Sequence, residues 1–141
     1  MNLFIPGDNL CGHILQENLG EGSYGQVWKA LRLRDYRLLA VKILFPEHVQ
    51  RRQHVSRFIQ EFKILKKLRH KNIVEVYELL QDGGHLGMSM ELVQGKPLSF
   101  AIEKRRQFPP AEAIGILQNI LDALAYAHKE GVVHRDIKPE N

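Results

Sequence analysis

Apolar and polar residues alternate in the first third of the chain, as in β-strands that have one buried face. One such stretch begins at His13, and a second, rich in β-branched and aromatic residues, covers Val27–Leu31. A third, Arg37–Leu44, follows after a short turn. The pattern predicts three strands, of which the first two are joined as a hairpin by the glycine-rich residues 20–25.

The spacing of apolar residues becomes helical over residues 48–69. The residues of this apolar face recur three or four positions apart: Val55, Phe58, Ile59, Phe62 and Leu65. This spacing predicts one amphipathic helix. Alternation returns over Ile73–Leu80 and over Leu86–Val93, with Asp82-Gly83-Gly84 between them. These two stretches predict a second hairpin, which brings the total to five strands and one long helix.

Helical patterns dominate the rest of the chain. Leu98–Lys104 predicts a short helix, and a longer one begins near Pro110 and stops at Gly131. The longer helix has a broad apolar face, made of Ile114, Leu117, Ile120, Leu121, Leu124 and Ala125. The rest of the chain offers little to cover this face. We therefore expect the face to be partly open to water or covered by a partner.

The amino-acid composition excludes only a few classes of fold and function. The 141 residues are 44% hydrophobic and 26% charged, which is ordinary for one globular domain. The formal charge of +4 is spread along the chain rather than collected in a tail, so nucleic-acid binding is not expected as the main function. Cys11 is the only cysteine, which excludes an intrachain disulfide. The N-terminus lacks a signal-peptide pattern and no apolar run reaches about 18 residues, so we expect a cytoplasmic chain without a membrane segment.

The segment Gly20-Glu21-Gly22-Ser23-Tyr24-Gly25 has the glycine spacing of phosphate-binding loops. Glycine lets backbone N–H groups approach phosphate oxygens because no Cβ stands in the way. The same spacing also occurs in dinucleotide-binding folds, where it opens a helix, and in plain hairpins that bind nothing. Because Gln26–Leu31 is strand-like, a hairpin flap over nucleotide phosphates is favoured over a dinucleotide fingerprint.

Two charged residues lie on otherwise apolar elements. On the third strand, Lys42 shares a face with Ala40, and burying an ammonium there is costly unless it finds an anion. An edge strand or a lysine that extends its end to water would also explain it. Glu61 falls at the border of the helix's apolar face, beside Leu65 and Leu68. It is either a boundary residue in water or the partner of a cation.

The last eight residues are His134-Arg135-Asp136-Ile137-Lys138-Pro139-Glu140-Asn141. The order of glycine-rich turn, strand lysine, helix glutamate and this string resembles the first half of a protein kinase domain. The lysine two positions after Asp136 is similar to that of serine/threonine kinases. The resemblance implies an α+β fold with a kinase-like N-lobe, made of a five-stranded antiparallel sheet and one long helix, followed by a truncated helical C-lobe.

The resemblance also implies ATP and Mg²⁺ as cofactors and a serine or threonine hydroxyl of a protein as the acceptor. Lys42 would orient the triphosphate and Glu61 would fix Lys42. Asp136 would orient and deprotonate the acceptor hydroxyl, Lys138 would neutralise the transferring phosphoryl group, and Asn141 would coordinate magnesium. Further nucleotide contacts are implied for Gly20, Glu21, Gly22, Ser23, Tyr24, Gly25, Val27, Ala40, Met90, Glu91 and Val93.

Within that set, residues 90–93 resemble the hinge between the kinase lobes. Met90 would be the gatekeeper at the back of the adenine pocket, and the Glu91 carbonyl and the Val93 amide would meet the adenine edge. His134 is expected to support the backbone of the catalytic loop rather than to act as a base.

These assignments divide the chain into a lead-in of little structure (1–12), a kinase N-lobe with hinge (13–93) and a partial C-lobe (94–141). Asp-Phe-Gly, which carries the other magnesium ligand in kinases, does not occur in these residues. We therefore expect a serine/threonine kinase domain that is incomplete and inactive as these 141 residues alone. The alternative is a non-catalytic nucleotide-binding or protein-interaction module. A small-molecule phosphotransferase is less favoured, because Lys138-Pro139-Glu140-Asn141 is closer to protein kinases.

Overall fold

A computed structural model describes residues 4–140, and the chain forms two compact units. The first unit contains the residues up to 67 together with 75–93, and the second contains Leu68–Val74 and the residues from Gln94 onward. Leu68–Val74, which lies inside the predicted segment 13–93, is grouped with the second unit.

An antiparallel sheet of six strands forms the first unit. The strands are β1 (Asn9–Leu10), β2 (His13–Glu21), β3 (Gly25–Arg32), β4 (Arg37–Leu44), β5 (Val76–Asp82) and β6 (His85–Met90). Their spatial order is β1-β2-β3-β4-β6-β5. The predicted antiparallel sheet and both hairpins are confirmed, and the strand predicted at Arg37–Leu44 has those bounds.

The sixth strand, β1, corrects the expectation that the lead-in has little structure. Gly7 N donates to Leu15 O at 2.7 Å and Leu15 N donates to Asp8 O at 2.8 Å, which joins the lead-in to β2. The Asn9 side chain accepts from Gly12 N at 2.8 Å, and Gly12 has a φ of +77° that favours glycine. The turn-forming residues of the lead-in thus form a tight hairpin, where an unstructured segment was expected.

Both end residues predicted for the helix over residues 48–69 are wrong. It is divided into α1 (Pro46–Val49) and α2 (Arg52–Leu65), because Arg51 has an extended backbone with φ −99° and ψ 107°. The basic run after Leu65 forms turns, in which the His70 ring accepts from Asn72 N at 3.1 Å. This bond competes with the helical hydrogen bonds of the segment.

Two apolar clusters fill the two sides of the sheet. On one side the cluster consists of Phe4, Leu10, Leu15, Trp28, Ala30, Val41, Ile43 and Leu80. The other cluster joins the sheet to α2 and consists of Leu44, Phe58, Val76, Leu86 and Met88. Since β4 contributes Val41 and Ile43 to the first cluster and Leu44 to the second, both of its faces are covered. This buried strand carries Lys42.

The second unit contains α3 (Leu98–Arg105) and α4 (Pro110–Lys129), close to the predicted helices. Leu117 and Leu121 of α4 are 56% and 61% exposed, so the expected open apolar face is present. Within residues 4–140, no helix has the length and apolar character needed to cross a bilayer.

Candidate functional site

The glycine-rich turn is a hairpin between β2 and β3. Its base is formed by the register pair of Glu21 and Gln26, and Gly22 N donates to Gly25 O at 2.9 Å. A strand rather than a helix follows Gly25, which excludes the dinucleotide-fingerprint arrangement. Tyr24 O accepts from Phe45 N at 2.9 Å, so the tip of the turn is bonded to the chain just after β4.

The glycines of this turn have different surroundings. A Cβ on Gly25 would lie 2.0 Å from the carbonyl oxygen of Ile43, so only glycine allows β3 and β4 to approach this closely. A Cβ on Gly20 would meet nothing within 4 Å, and one on Gly22 would only reach Gly25 O at 4.0 Å. Packing therefore requires Gly25, whereas Gly20 and Gly22 leave the backbone of the turn open to a ligand.

Lys42 of β4 and Glu61 of α2 form an ion pair, with 2.9 Å between Nζ and Oε1. The ammonium also lies 5.8 Å from the centre of the Phe58 ring, one turn before Glu61. The two charged side chains are 33% and 45% exposed, and pairs of this exposure contribute about 0–1 kcal/mol to stability. The pair therefore positions an ammonium group more than it stabilises the fold.

A cavity of about 210 Å³ opens beside this ion pair. Its lining residues are Tyr24, Lys42, Leu44, His54, Arg57, Phe58 and Glu61. The lining has two permanent cations, Lys42 and Arg57, and one carboxylate, Glu61, so its charge favours binding of an anion. Ligand sites for complete small molecules typically have volumes of about 300–1,000 Å³. The volume fits a phosphate group better than a whole nucleotide.

The predicted adenine contacts lie apart from this cavity, around the end of β6. Met90 is the register partner of Ala40 on β4, so the two side chains share one face of the sheet. Glu91 N is used in a 2.8 Å bond to Glu75 O. Among residues 4–140 the Val93 amide has no hydrogen bond, and its side chain is 61% exposed. The Val93 amide is therefore available to a ligand.

The catalytic-loop string lies in the second unit. Lys138 Nζ is 2.9 Å from Asp136 Oδ2, and this hydrogen bond, with the carboxylate charge, raises the pKa of Lys138 above its ordinary value. His134 Nδ1 accepts from Asp136 N at 3.3 Å, as expected for a residue that supports the loop backbone. Pro139 O accepts from Ser99 N at 2.8 Å, which ties the loop to the start of α3.

Asn141, the predicted metal ligand, lies outside the described residues. Within residues 4–140, no group of three or more His, Cys, Asp or Glu side chains could hold a metal ion. The described part of the chain thus has no preformed metal cage.

Two polar clusters were not predicted from the sequence. In one, the buried Arg32 donates to Asp35 at 2.9 and 2.5 Å and to Glu78 at 3.4 Å. In the other, the rings of His48 and His54 lie beside Tyr24 of the glycine-rich turn. Neither cluster can be recognised from a sequence motif, because each joins residues from separate elements.

Comparisons with known proteins agree with the order of these features. The protein kinase domain family matches residues 14–141. The serine/threonine-protein kinase PkaB of Streptomyces coelicolor is 40% identical over 123 residues, covering 87% of this chain and 29% of PkaB. PknL of Mycobacterium tuberculosis is 33% identical over 129 residues, covering 92% of this chain and 32% of PknL.

A solved structure shows the same architecture. The crystal structure of a cysteine-to-alanine mutant of the Mycobacterium tuberculosis PknI kinase domain has a TM-score of 0.83 and 27% sequence identity. The match covers 98% of this chain and 57% of that chain. The 141 residues therefore span a little over half of the solved kinase domain and about a third or less of the curated relatives.

Proposed function

This chain belongs to the protein kinase family, and we propose from that membership that it binds ATP and carries part of the machinery for phosphorylating proteins. Its relatives PkaB and PknL are serine/threonine-protein kinases, and the family uses ATP with Mg²⁺. The proposed acceptor is a serine or threonine hydroxyl of a protein substrate. Because the chain spans 57% of the PknI kinase domain, transfer is proposed for a complete domain.

The Lys42–Glu61 ion pair is the observation that best supports this proposal. Lys42 Nζ is held 2.9 Å from Glu61 and lines a phosphate-sized cavity with Tyr24 of the glycine-rich turn. A cation fixed in this way can bind phosphate oxygens without first losing conformational freedom. The role of Glu61 is to keep Lys42 oriented.

The rest of the nucleotide is assigned to the turn and the hinge. The backbone of residues 20–25 would bind phosphate oxygens, and Val27 and Ala40 would cover the adenine ring. Met90 would limit the depth of the pocket. The Glu91 carbonyl and the unpaired Val93 amide would recognise the adenine edge.

The catalytic loop supplies the chemistry in this proposal. Asp136 would accept the proton of the acceptor hydroxyl, and Lys138, held 2.9 Å from it, would offset the charge of the transferring phosphoryl group. Asn141 would hold Mg²⁺, which when bound neutralises phosphate charge. These 141 residues contain no Asp-Phe-Gly, the motif that carries the other magnesium ligand in the family.

The exposed apolar face of α4 supports a second candidate function. A chain with an ordered Lys42–Glu61 pair and a single proposed metal ligand can bind a nucleotide without transferring phosphate. The apolar face of α4, with Leu117 and Leu121 more than half exposed, would then serve protein interaction. In this alternative the chain is a non-catalytic nucleotide-binding or interaction module.

Two measurements on the 141-residue chain test these proposals. A fluorescent ATP analogue with Mg²⁺ should bind, and ATP should displace it. Labelled ATP with a generic protein substrate should give no transfer. Transfer that Asp136→Ala abolishes and Asp122→Ala preserves would show that the chain is a competent enzyme. No binding of the analogue would contradict the proposed ATP binding and would leave only the protein-interaction form of the alternative.

A further inference from the structure

Three aromatic rings meet where the glycine-rich turn approaches the helices. The rings are those of Tyr24 from the turn, His48 from α1 and His54 from α2, with centroids 4.7 to 5.7 Å apart. The two histidine Nδ1 atoms are 2.7 Å apart, and His48 Nε2 is 3.1 Å from Ser23 O. The tip of the turn is therefore bonded to α1 and, through the second histidine, to α2.

The hydrogen-bond partners determine where the protons lie. Ser23 O is a carbonyl oxygen and can only accept, so His48 Nε2 carries a proton. The contact between the two Nδ1 atoms requires a proton on one of them and a lone pair on the other. The pair can be neutral or carry one positive charge with this contact intact. A second charge would place two N–H donors against each other and break the contact.

We propose that His48 and His54 are positioning residues that hold the glycine-rich turn against α1 and α2. The chain of contacts runs from Ser23 and Tyr24 through the two imidazoles to α2, the helix that carries Glu61. The position of the phosphate-binding turn is thereby coupled to the helix that orients Lys42. The nucleotide-binding part of this inference rests on the proposed function, whereas the positioning of the turn does not.

The surrounding charges make the contact sensitive to pH. Tyr24 faces the pair from the turn, Arg51 and Arg57 act on His54 from the start of α2, and Lys42 and Glu61 line the same cavity. Burial, and then the positive charges of His48, Arg51 and Arg57, lower the pKa of His54 from its ordinary 6.5. This shift disfavours a charge on His54, so the second positive charge that breaks the contact is taken up only as the pH falls below about 6.5.

Nuclear magnetic resonance on the complete wild-type chain tests the inference without a ligand. The amide signals of Ser23 and Tyr24 should change together with the ring signals of His54 as the pH is lowered from about 8 to 5. The amide of Ala113, in the second unit, donates to Pro109 O and is the internal control. Amides of the turn that stay unchanged while the ring signals of His54 change would overturn the proposal.

Two substitutions provide a second test of the inference. His54→Phe keeps a ring beside Tyr24 but removes the Nδ1 contact, and His48→Gln removes the bridge while keeping a polar side chain. Each should weaken binding of a fluorescent ATP analogue about 2- to 10-fold at pH 8, the range expected for one lost hydrogen bond, and should flatten its pH dependence. His128→Phe, on an exposed face of α4, is the matched control.

The two proposals fail in distinguishable ways. If the wild-type chain binds no nucleotide but its turn amides still follow the histidines, the proposed function is wrong and the positioning role stands. If both variants bind nucleotide as the wild type does, with the same pH profile, the positioning role is wrong. The wild-type titration decides the case even where a variant does not fold.

Discussion

The ammonium of Lys42 and the carboxylate of Glu61 lie 2.9 Å apart, although one belongs to β4 and the other to α2. Phe58, one helical turn before Glu61, packs in the cluster between α2 and the sheet and fixes the distance between these elements. The ion pair therefore depends on the apolar packing beneath it. A change in that packing should alter the position of the ammonium before it alters the fold.

Lys42→Ala should weaken binding of a fluorescent ATP analogue about 10- to 100-fold, because hydrogen bonds to charged groups contribute about 1.5–3 kcal/mol. Thermal stability should change little, since both side chains of the pair are partly exposed. Lys63→Ala, on the exposed side of α2, is the control and should bind as the wild type does. Equal affinity of the Lys42→Ala and wild-type chains would refute the assigned role of Lys42.

Gly25→Ala should destabilise the first unit by about 1–3 kcal/mol, because the new Cβ would lie 2.0 Å from Ile43 O and force β3 and β4 apart. Gly20→Ala has open space around its Cβ and should keep the stability of the wild type. Urea unfolding followed by circular dichroism measures both. Equal loss of stability in the two variants would contradict the distinction between packing and ligand-facing glycines.

The hydrogen bond from Arg32 holds the pKa of Asp35 at about 2, below its ordinary 3.8. A carboxylate with a lowered folded-state pKa stabilises the fold above about pH 4, and this contribution is lost as the pH falls through about 2. Asp35→Asn should therefore reduce the pH dependence of the unfolding free energy in this window. Asp82→Asn, at the exposed end of β5, is the control; an identical pH profile for Asp35→Asn and the wild type would count against the pair.

Replacing Leu117 and Leu121 together by lysine should reduce self-association of the 141-residue chain, as measured by light scattering. These side chains are 56% and 61% exposed, so their replacement costs little packing. Gln118→Lys together with Asn119→Lys adds the same two charges at exposed positions of the same helix and controls for net charge alone. If the control lowers association as much as the double variant, charge rather than the apolar face is responsible.

Elements with strong periodicity could be predicted from the sequence. The alternation of Arg37–Leu44 and the capping residues of α4, Pro110 and Gly131, gave elements whose limits agree with the structure. The apolar patterns singled out Lys42 and Glu61, and the resemblance to protein kinases implied that the two residues pair. In these cases the local pattern and the tertiary packing favour the same conformation.

The structural features that could not be predicted from the sequence depend on contacts between elements. The break at Arg51 interrupts a pattern that remains helical on both sides, and β1 exists because Leu10 is buried in the core while Leu15 pairs with the lead-in. His48 and His54 are six residues apart, a spacing that places them together only after the helix is broken. Hydrophobic spacing carries no information about such contacts.

The insertion of β6 between β4 and β5 affects how this sheet can be completed during synthesis. Each strand from β2 to β4 pairs with its predecessor, so these strands can assemble as they leave the ribosome. The free edge of β4 has no partner until His85–Met90 has been made, and β5 can join only through β6. A nascent chain halted between these strands exposes an apolar β edge, and we expect it to be the form most in need of a chaperone.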